Sequence, residues 1–469
     1  MDPYATERLG LLLARQRAAY QAQPMPDLAT RRDRLQRLLR MTEAHAEEIA
    51  AAASHDFGHR SRHETLLADV FTVAAAARHA LRHLRRWMRP RRVPTALHFL
   101  PASNRLLRQP LGVVGVVAPW NYPYNLAMSP AVAALAAGNR VLIKPSELVP
   151  ETAALMERLV AQYFEPDEMA VVTGDADVGR AFTSLPFDHL FFTGSTAVGR
   201  AVAQAAAQNL TPVTLELGGK SPALIDRSAD LARSAQRLAV GKLLNAGQTC
   251  VAPDYLLVPR ELVQPLAEAL LAAVRHHYPT LADNPDYTAI VSPRHFARLQ
   301  GLLDDARARG ARLLPSHADA GTGRKLAPTL VLDVDDAMQI MQEEIFGPLL
   351  PLVPYDREEE AIAYIQRHER PLALYWFGED AAARERVLAQ THAGGVTIND
   401  CIWHLGQEEQ PFGGVGASGM GSYHGEWGFR TFSKEKPVFV QSRWAGTRLF
   451  APPYGARFEQ LLGLLRRVS

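Results

Sequence analysis

The sequence predicts an α/β protein in which a doubly wound sheet is followed by a second α/β unit. From Leu111 onward, short apolar runs alternate with helical stretches, as expected for parallel strands joined by helical crossovers. The alternation resumes after Cys250, which indicates the second unit. The length of 469 residues exceeds what one simple core holds, so two or three domains are expected.

The first 88 residues are predicted to be helical, because leucines recur at helical spacing, as at Leu35, Leu38 and Leu39. Prolines end this pattern beyond residue 89, and 95–107 is predicted to form extended arms. Arginines between residues 85 and 92 form a basic cluster that suits an anion or a nucleic acid. The formal net charge of only +2 favours a solvated helix end instead.

Short apolar runs in the first unit are predicted strands, and the stretches between them include crossover helices. The strands are expected at 113–117, 140–143, 170–172, 189–192, 213–215 and 223–225. The helices are expected at 131–137, 151–163 and 199–208. Such sheets bind ligands at the carboxyl ends of their strands, which makes this unit a candidate nucleotide-binding domain.

The second unit has the same character and ends in a glycine-dense stretch at 411–425. Residues 429–440 are predicted to be extended, and 451–469 to form a short amphipathic helix after a turn. Strands are expected at 255–258, 330–332, 349–353, 374–377 and 396–398, with helices at 262–276 and 294–309.

Composition narrows the expected partners and compartment. The 51 basic and 49 acidic residues give no reason to expect nucleic acid or an anionic membrane. Only Cys250 and Cys401 are cysteines, which argues for a reducing compartment, and no signal peptide is recognised, so a cytoplasmic location is expected. No metal is expected, because neither HExxH nor CxxC occurs and the 16 histidines show no recognised ligand spacing.

Cys250 ends a Gly-Gln-Thr-Cys turn and is the candidate nucleophile. A lone cysteine is usually a small core residue, but a turn rather than an apolar helix face favours the chemical role. Glu216 lies 34 residues earlier (250 − 216), at the end of a β-like run. Its neighbours Leu215 and Leu217 predict partial burial, which raises the pKa of a carboxyl group toward neutrality and suits a general base.

The segments LELGGKSP (215–222) and NAGQTCVAPDY (245–255) resemble the aldehyde dehydrogenase superfamily. The resemblance extends over 111–436 and is nearest to the dimeric class 3 members and their bacterial relatives, including coniferyl aldehyde dehydrogenases. It implies a homodimer. It also implies a Rossmann-like cofactor domain (1–88 and 111–216), an α/β catalytic domain (217–404), a small β bridging and oligomerisation element (89–110 and 405–440) and a C-terminal tail (441–469).

In the resembled family an aldehyde is oxidised to a carboxylic acid through a thiohemiacetal and a thioester on the nucleophile. The match gives the nucleophile's role to Cys250 and hydrolysis of the thioester to Glu216. Asn121, within APWNYPYN, is implied to donate to the developing oxyanion beside the backbone N–H of Cys250. An amide suits this position because it donates a hydrogen bond without titrating.

The resemblance implies NAD as cofactor, with NADP as an open alternative. Lys144 in VLIKPSE is assigned to the adenosine ribose, and Glu147 to its 2′-hydroxyl, where a carboxylate repels the 2′-phosphate of NADP. The loop 192–199 is not a GxGxxG fingerprint, but it opens a helix whose N–H groups favour anions. The other implied cofactor residues are Pro119, Trp120, Thr193, Gly194, Ser195, Gly199, Leu217, Glu344 beside the nicotinamide ribose, and Phe346 beside the nicotinamide.

Three other functions stay open as alternatives. A coenzyme A-acylating dehydrogenase generally lacks the equivalent of Glu216, which is present here. A cysteine hydrolase needs a histidine partner, and no histidine stands in a recognisable context. A non-enzymatic binding protein on a decayed fold has no need to retain Cys250 and Glu216 together.

The expected substrate is a medium-chain aliphatic or aromatic aldehyde, such as coniferaldehyde. Tyr122, Tyr124, Trp403 and Cys401 are candidates to line an apolar pocket, although aromatic residues are also ordinary packing material. His404 is a candidate to tune substrate binding. Cys401 is expected to be a core or pocket-lining thiol rather than a second catalyst.

Overall fold

Helices make up most of the first 87 residues and recur between the later strands. The computed structural model describes residues 3–318 and 323–468. No helix in these ranges has both the length and the apolar character of a bilayer-spanning segment. A π-helical segment, Leu66–Phe71, lies between the helices Arg62–Thr65 and Thr72–Trp87. The α-helices are α1 (Pro3–Ala22), α2 (Leu28–Ala44), α3 (Ala46–Phe57), α4 (Arg62–Thr65), α5 (Thr72–Trp87), α6 (Asn125–Ala137), α7 (Pro150–Tyr163), α8 (Ala176–Thr183), α9 (Thr196–Ala207), α10 (Leu231–Leu243), α11 (Val263–His277), α12 (Pro293–Ala308), α13 (Gln339–Gln342), α14 (Glu358–Gln366), α15 (Ala381–Gln390), α16 (Gly425–Thr431) and α17 (Ala456–Val468).

The strands of the described residues form three sheets. In chain order they are β1 (Arg91–Val93), β2 (Ser103–Pro110), β3 (Val113–Val117), β4 (Arg140–Lys144), β5 (Met169–Val171), β6 (His189–Thr193), β7 (Val213–Glu216), β8 (Pro222–Ile225), β9 (Tyr255–Pro259), β10 (Arg312–Pro315), β11 (Thr329–Leu332), β12 (Leu349–Tyr355), β13 (Ala373–Phe377), β14 (Gly395–Ile398), β15 (Gly419–Met420) and β16 (Ser433–Val440).

The first α/β unit is a six-stranded sheet with the order β15-β7-β6-β3-β4-β5, parallel except for β15. Its inner strands are buried throughout, which explains why they appear in the sequence as continuous apolar runs. The chain runs outward from β3 to β5, then returns to add β6 and β7 on the other side of β3. The predicted doubly wound architecture is therefore confirmed, with its switch point between β3 and β6.

The second α/β unit is a seven-stranded sheet with the order β10-β11-β12-β9-β8-β13-β14, parallel except for β10. The chain passes from the first sheet to the second between β7 and β8, through Gly218 and Gly219. Cys250 lies just before β9, a central strand of this second sheet. The link after β7 and the segment before β9 therefore both lie where the two sheets adjoin.

The N-terminal helices lie on both faces of the first sheet, with Leu9 and Leu13 of α1 in the apolar cluster on one face and α2 and α5 packed against α6 on the other. Asp27 caps α2 by accepting the N–H of Thr30 at 2.8 Å. Leu38 of α2 and Val73 and Ala77 of α5 are fully buried in the same apolar cluster as α6. Burying such apolar side chains stabilises the fold by about 1.5–3 kcal/mol for each large one.

The third sheet is antiparallel and has the order β1-β2-β16. β16 pairs with β2 along its whole length, from Ser433 opposite Pro110 to Val440 opposite Ser103. The segment 405–440, assigned from sequence to the bridging element, contributes only β16 to this sheet. Its residues Gly419–Met420 pair with β7 of the first sheet instead. The proposed four-part division of the chain itself stays a prediction.

Two element predictions were wrong in detail. Residues 429–440 are not extended throughout, because α16 ends at Thr431 and buries Phe429 against Trp87, with ring centroids 5.6 Å apart. α6 begins at Asn125 rather than 131 and continues through Pro130. Proline tends to end helical patterns, so the sequence indicated a later start. The amphipathic helix predicted near the C-terminus is present as α17.

Candidate active site

Cys250 lies in a loop that leaves α10 with unusual backbone geometry. Asn245 and Ala246 both have a φ of 53°, and Gly247 has a φ of 78°. A left-handed conformation costs a non-glycine residue about 1–2 kcal/mol. The loop also packs directly on the segment after α13, because a Cβ at Gly247 would lie 2.3 Å from the carbonyl oxygen of Gly347. Tertiary contacts therefore fix this loop.

A buried polar network holds the loop in place. The Asn245 backbone N–H donates to the Glu64 carboxylate at 3.1 Å, and its side-chain amide donates to the carbonyl oxygens of Asn121 and Gln248. The Gln248 amide donates to the carbonyl oxygens of Asn245 and Ala289, each at 3.0 Å. Sequence analysis missed Glu64, Asn245 and Gln248 as site residues. The NAGQTC motif contained the last two, but nothing near Glu64 marked it.

Asn121 is brought to the same loop from the carboxyl end of β3. Its side chain is buried, and its amide nitrogen donates to the carbonyl oxygen of Gln248 at 3.1 Å. Its own carbonyl oxygen accepts from Arg60 at 2.8 Å. The side-chain amide therefore lies beside the chain two residues before Cys250, and Arg60 holds the Asn121 backbone.

The Cys250 thiol is partly buried and faces two acids. Burial, then the charges of Glu344 and Glu216, raise the pKa of the Cys250 thiol to about 12. The Tyr375 hydroxyl donates to the carbonyl oxygen of the next residue, Val251. In this arrangement the thiol is therefore protonated at neutral pH.

Glu216 is the last residue of β7 and is buried. Among the described residues neither of its carboxylate oxygens has a hydrogen-bond partner. Burial raises the pKa of the Glu216 carboxyl well above its ordinary value, as Leu215 and Leu217 led us to expect. Across the sheet, Gly419 of β15 lies opposite it. A buried carboxyl group without hydrogen bonds is available to take up and release a proton.

Glu344 reaches into the link between the two sheets. A Cβ at Gly218 would lie 2.2 Å from its Oε2, so only glycine leaves room for this carboxyl group. Burial, then the charge of Asp254, raise the pKa of Glu344 to about 8. Asp254 in turn binds Lys220 at 2.5 Å. Glu216, Cys250 and Glu344 are thus assembled from three distant parts of the chain.

Lys144 and Glu147 lie at the carboxyl end of β4. The Lys144 ammonium is buried, donates to the carbonyl oxygen of Pro145 at 2.8 Å, and lies 3.8 Å from the Glu147 carboxylate. Burial lowers the pKa of Lys144. β4 is three strands from β7, about 14 Å at ordinary strand spacing, so this pair is not part of the cluster around Cys250.

The loop after β6 fits a phosphate-bearing ligand. Ser195 caps α9 by accepting the N–H of Val198, so the loop leads directly into the N-terminus of this helix. The buried hydroxyl of Thr193 has no hydrogen-bond partner in the described ranges. Gly199 packs against Leu217, because a Cβ there would lie 2.6 Å from a Leu217 methyl carbon. The N–H of Gly194 donates to the Glu216 carbonyl oxygen at 3.0 Å.

Trp120 and Phe346 face each other from opposite sheets. Trp120 follows β3 of the first sheet, and Phe346 precedes β12 of the second sheet. Their ring centroids are 5.3 Å apart, and both side chains are partly exposed. Pro119 precedes Trp120 just beyond the end of β3. Phe346 has a φ of 51°, so its backbone is also in the left-handed region. The cofactor residues predicted from sequence therefore lie at or just beyond strand ends of the first sheet, in the first turn of α9 at Gly199, or on the segment between α13 and β12.

The predicted pocket residues separate into two groups. Tyr122 is buried next to the nucleophile loop, with its hydroxyl 2.6 Å from that of Thr249, and Trp403 is half-exposed. Tyr124 is instead a core residue, fully buried and bonded to Thr42 of α2 at 2.8 Å. Cys401 is also buried, because its side chain packs on Gly241 of α10.

His404 is held within an aromatic group. Its Nδ1 lies 2.8 Å from the Thr397 hydroxyl, and burial lowers the pKa of His404 to about 4. Its ring centroid is 6.1 Å from that of Phe412, which in turn stacks on His424 at 5.3 Å. His404 is therefore neutral at physiological pH.

A thiol and two acids at the junction of a doubly wound sheet and a second α/β unit define the class of protein. It is an oxidoreductase. The chain belongs to the aldehyde dehydrogenase family, whose sequence model matches residues 12–438. It is therefore an NAD(P)-dependent enzyme that oxidises aldehydes.

Individual relatives agree with this assignment. The probable coniferyl aldehyde dehydrogenase of Pseudomonas aeruginosa is 52% identical over 455 residues, which cover 97% of this chain and 95% of that protein. The coniferyl aldehyde dehydrogenase of Pseudomonas sp. (strain HR199) is 48% identical over 469 residues, covering 99% and 97%. The solved substrate-bound state of Staphylococcus aureus AldH has a TM-score of 0.93 at 37% identity and covers 97% of this chain and 99% of that chain.

Proposed function

We propose that Cys250 is the nucleophile through which this enzyme oxidises its aldehyde to a carboxylic acid. The observation that carries the proposal is the thiol's position in a fixed loop, facing both Glu216 and Glu344 at the junction of the two sheets. The thiol gives up its proton to solvent as its sulfur adds to the aldehyde carbon, and the carbonyl oxygen becomes the oxyanion of a thiohemiacetal. Loss of hydride from that carbon leaves a thioester, and water then releases the acid and restores the thiol.

Asn121 is proposed to stabilise the oxyanion of the thiohemiacetal. Its amide is buried and hydrogen-bonded to the nucleophile loop, so it needs little reorganisation when charge develops. Removing one such donor typically lowers kcat by about 10²–10³. The N–H of Cys250 is the second proposed donor.

Glu216 is proposed to activate the water that hydrolyses the thioester. A carboxyl group with an ordinary pKa is a weak base at neutral pH, whereas burial raises the pKa of Glu216 well above that value. Glu216 also favours water over coenzyme A as the acyl acceptor. Hydrolysis needs a base that activates water, whereas attack by the coenzyme A thiol does not. Hydrolytic oxidation is therefore our choice over the coenzyme A-acylating alternative.

The cofactor is proposed to be NAD rather than NADP. Lys144 would hold the adenosine ribose, the loop of Thr193, Gly194 and Ser195 the pyrophosphate, and Glu344 the nicotinamide ribose. When bound, the oxidised cofactor accepts the hydride. The half-exposed carboxylate of Glu147 beside Lys144 repels a 2′-phosphate, and the ratio of kcat/KM for NAD to that for NADP tests this preference.

The substrate is proposed to be an aromatic aldehyde of the coniferaldehyde type. Two relatives at 52% and 48% identity are named coniferyl aldehyde dehydrogenases. Tyr122 beside the nucleophile loop and the half-exposed Trp403 offer flat apolar surface suited to such a ring. Comparing kcat/KM for coniferaldehyde, benzaldehyde and hexanal would rank the alternatives.

A Cys250→Ser variant tests the proposed mechanism directly. Serine is close in size but a far weaker nucleophile, so we expect NAD(P)H formation to fall at least about 10³-fold while NAD binding is retained. The measurement is absorbance of the reduced cofactor, with and without coenzyme A, alongside calorimetric titration of NAD. Wild-type turnover in this variant would rule out Cys250, and turnover of the wild-type enzyme only with coenzyme A would rule out hydrolysis.

A further inference from the structure

His79, His83 and Glu409 form a cluster separate from the residues around Cys250. The two histidines are four residues apart on α5, so they lie on the same face of that helix, with ring centroids 4.5 Å apart. Glu409 belongs to a turn closed by the N–H of Gln410 donating to the Gln407 carbonyl oxygen. One ligand atom from each of the three side chains lies within 4.8 Å of the others.

The distances within this cluster match a coordination shell better than a hydrogen bond. The Glu409 Oε1 atom lies 3.5 Å from His79 Nε2 and 3.6 Å from His83 Nε2. N–H···O hydrogen bonds cluster at about 2.7–3.2 Å. Ligands about 2.1 Å from a tetrahedral zinc ion are about 3.4 Å from one another. Two of the three separations between ligand atoms are therefore close to the spacing expected around a tetrahedral zinc ion.

His79 is the best-defined member of the cluster. Its side chain is only 7% exposed, and its Nε2 has no hydrogen-bond partner within the described part of the chain. A buried nitrogen left without a partner is unfavourable by about 1–3 kcal/mol, which a bound ion would offset.

The other two side chains are free to complete the shell. His83 is 30% exposed and Glu409 is 66% exposed, so small rotations can bring their ligand atoms closer. Trp87, one further turn along α5, lies against both imidazole rings, with centroids 5.6 and 5.9 Å away, and limits their orientations.

We propose that His79, His83 and Glu409 bind one divalent transition-metal ion of the Zn²⁺ type, with water as the fourth ligand. Two imidazoles and one carboxylate are a donor set that suits Zn²⁺, Co²⁺ and Ni²⁺. Sequence analysis expected no metal because it searched for HExxH and CxxC. The third ligand lies 326 residues beyond the second (409 − 83), so spacing along the chain did not indicate it.

A metal at this position would fix the turn around Glu409 to α5. The same segment continues into Phe412, which exchanges backbone hydrogen bonds of 3.0 and 2.8 Å with Tyr423. Burial, then nearby Glu216, raise the pKa of the Tyr423 hydroxyl well above its ordinary value, so Tyr423 lies close to the active site. The ion would therefore stabilise the wall behind the active site and take no part in the reaction itself.

The test is titration of EDTA-treated, full-length protein with Zn²⁺ and Co²⁺, by calorimetry and by Co²⁺ absorption. All titrations use a Cys250→Ser background, so that the reactive thiol does not compete. We expect one ion per chain. His83→Ala and Glu409→Gln, both at exposed positions, should each weaken binding at least about tenfold, since loss of even an outer partner of a metal ligand costs about 10–100-fold.

The matched control is His276→Ala. His276 and His277 also lie close together, with ring centroids 5.5 Å apart, but are adjacent residues and have no place in the cluster. This variant should bind Zn²⁺ and Co²⁺ as the background does, with the same tetrahedral Co²⁺ spectrum. The proposal is overturned if the background protein shows no saturable binding, or if either His83→Ala or Glu409→Gln binds with unchanged affinity.

Discussion

At the scale of single residues, the charge around Cys250 determines its reactivity. The thiol has two acids beside it, and after burial the charge of Glu344 contributes most to its raised pKa. A thiolate, not a thiol, is the nucleophile. Any event that neutralises or moves the Glu344 carboxylate therefore makes the thiol easier to ionise. With Glu344 and Glu216 beside it, Cys250 is held in its thiol form.

Replacing Glu344 with Gln should lower the pKa of Cys250 and speed its alkylation. A shift of one pKa unit changes the thiolate fraction about tenfold at a pH below the pKa, so we expect roughly tenfold faster reaction with iodoacetamide. The measurement is the alkylation rate at mildly alkaline pH without cofactor. Glu343→Gln is the matched control, because Glu343 is half-exposed and paired with Arg298 at 2.9 Å. Equal rates in wild type and Glu344→Gln would contradict this account.

At the scale of elements, the loop between α10 and β9 depends on a helix far away in sequence. Glu64 in α4 accepts from the Asn245 N–H at 3.1 Å and from the Thr288 hydroxyl at 2.9 Å. Both bonds reach the same carboxylate oxygen. Burial raises the pKa of Glu64 to about 7, so this group is neutral in mildly acidic solution and becomes charged as the pH rises.

A Glu64→Gln variant should change how stability depends on pH. The folded-state pKa of about 7 exceeds the ordinary value of 4.5, so ionisation of Glu64 disfavours the folded state. Wild-type stability should therefore fall relative to the variant between about pH 4.5 and about pH 7, by up to about 3 kcal/mol, and then level off. Gln keeps an acceptor oxygen for Asn245. Urea unfolding across this range measures the difference.

The control for this prediction is Glu268→Gln, at an exposed position on α11. Its stability should follow the wild-type curve at every pH. A constant difference between Glu64→Gln and wild type over the whole range would show that Glu64 has the same pKa folded and unfolded.

The sequence predicted most strands of the parallel sheets, because each is a short apolar run buried on both faces. β3, predicted at 113–117, has those bounds. It did not predict β15 or α16, which lie in the glycine-rich region after residue 411. Glycines there allow close backbone approach: a Cβ at Gly419 would lie 2.3 Å from the Leu215 carbonyl oxygen. The sequence shows where the glycines are, but it does not show which distant backbone segment packs against each of them.

The same limit applies to the candidate site. Cys250, Glu216 and Asn121 were identifiable from local motifs, and the fold does gather them around one loop. Glu64 was not, because its role arises from a contact 181 residues along the chain. Tyr124 was predicted to line the pocket because it is near Asn121 in the sequence. It precedes α6, and its ring is fully buried in the core.

At the scale of the whole molecule, the three-stranded sheet and the turn before β2 carry a cluster of exposed apolar side chains. Phe99 and Phe439 are 39% and 47% exposed, and their rings meet edge to face with centroids 5.7 Å apart. Leu97, Leu100 and Val440 are exposed nearby in sequence. Exposed apolar clusters of this kind mark interaction surfaces. We propose that the protein is a homodimer and that this surface forms its interface.

A Phe439→Glu variant should weaken that dimer. A buried unpaired charge at an interface opposes association by several kcal/mol, so we expect the mass measured by light scattering to shift from dimer to monomer. Leu210→Glu is the control, because Leu210 is 89% exposed on a turn after α9, outside the three-stranded sheet. A dimer that survives Phe439→Glu unchanged, or a monomeric wild type, would contradict this assignment.

The most direct test of the central claim is the time course of NADH formation by Glu216→Gln, mixed rapidly with coniferaldehyde and NAD without coenzyme A. If Cys250 forms the thioester and Glu216 activates the water, one equivalent of NADH per chain should form at close to the wild-type rate. Turnover should then slow by about 10²–10⁴-fold, the usual contribution of a general base. Sustained wild-type turnover of Glu216→Gln would contradict the account, because the buried acid at the end of β7 would then have no part in deacylation.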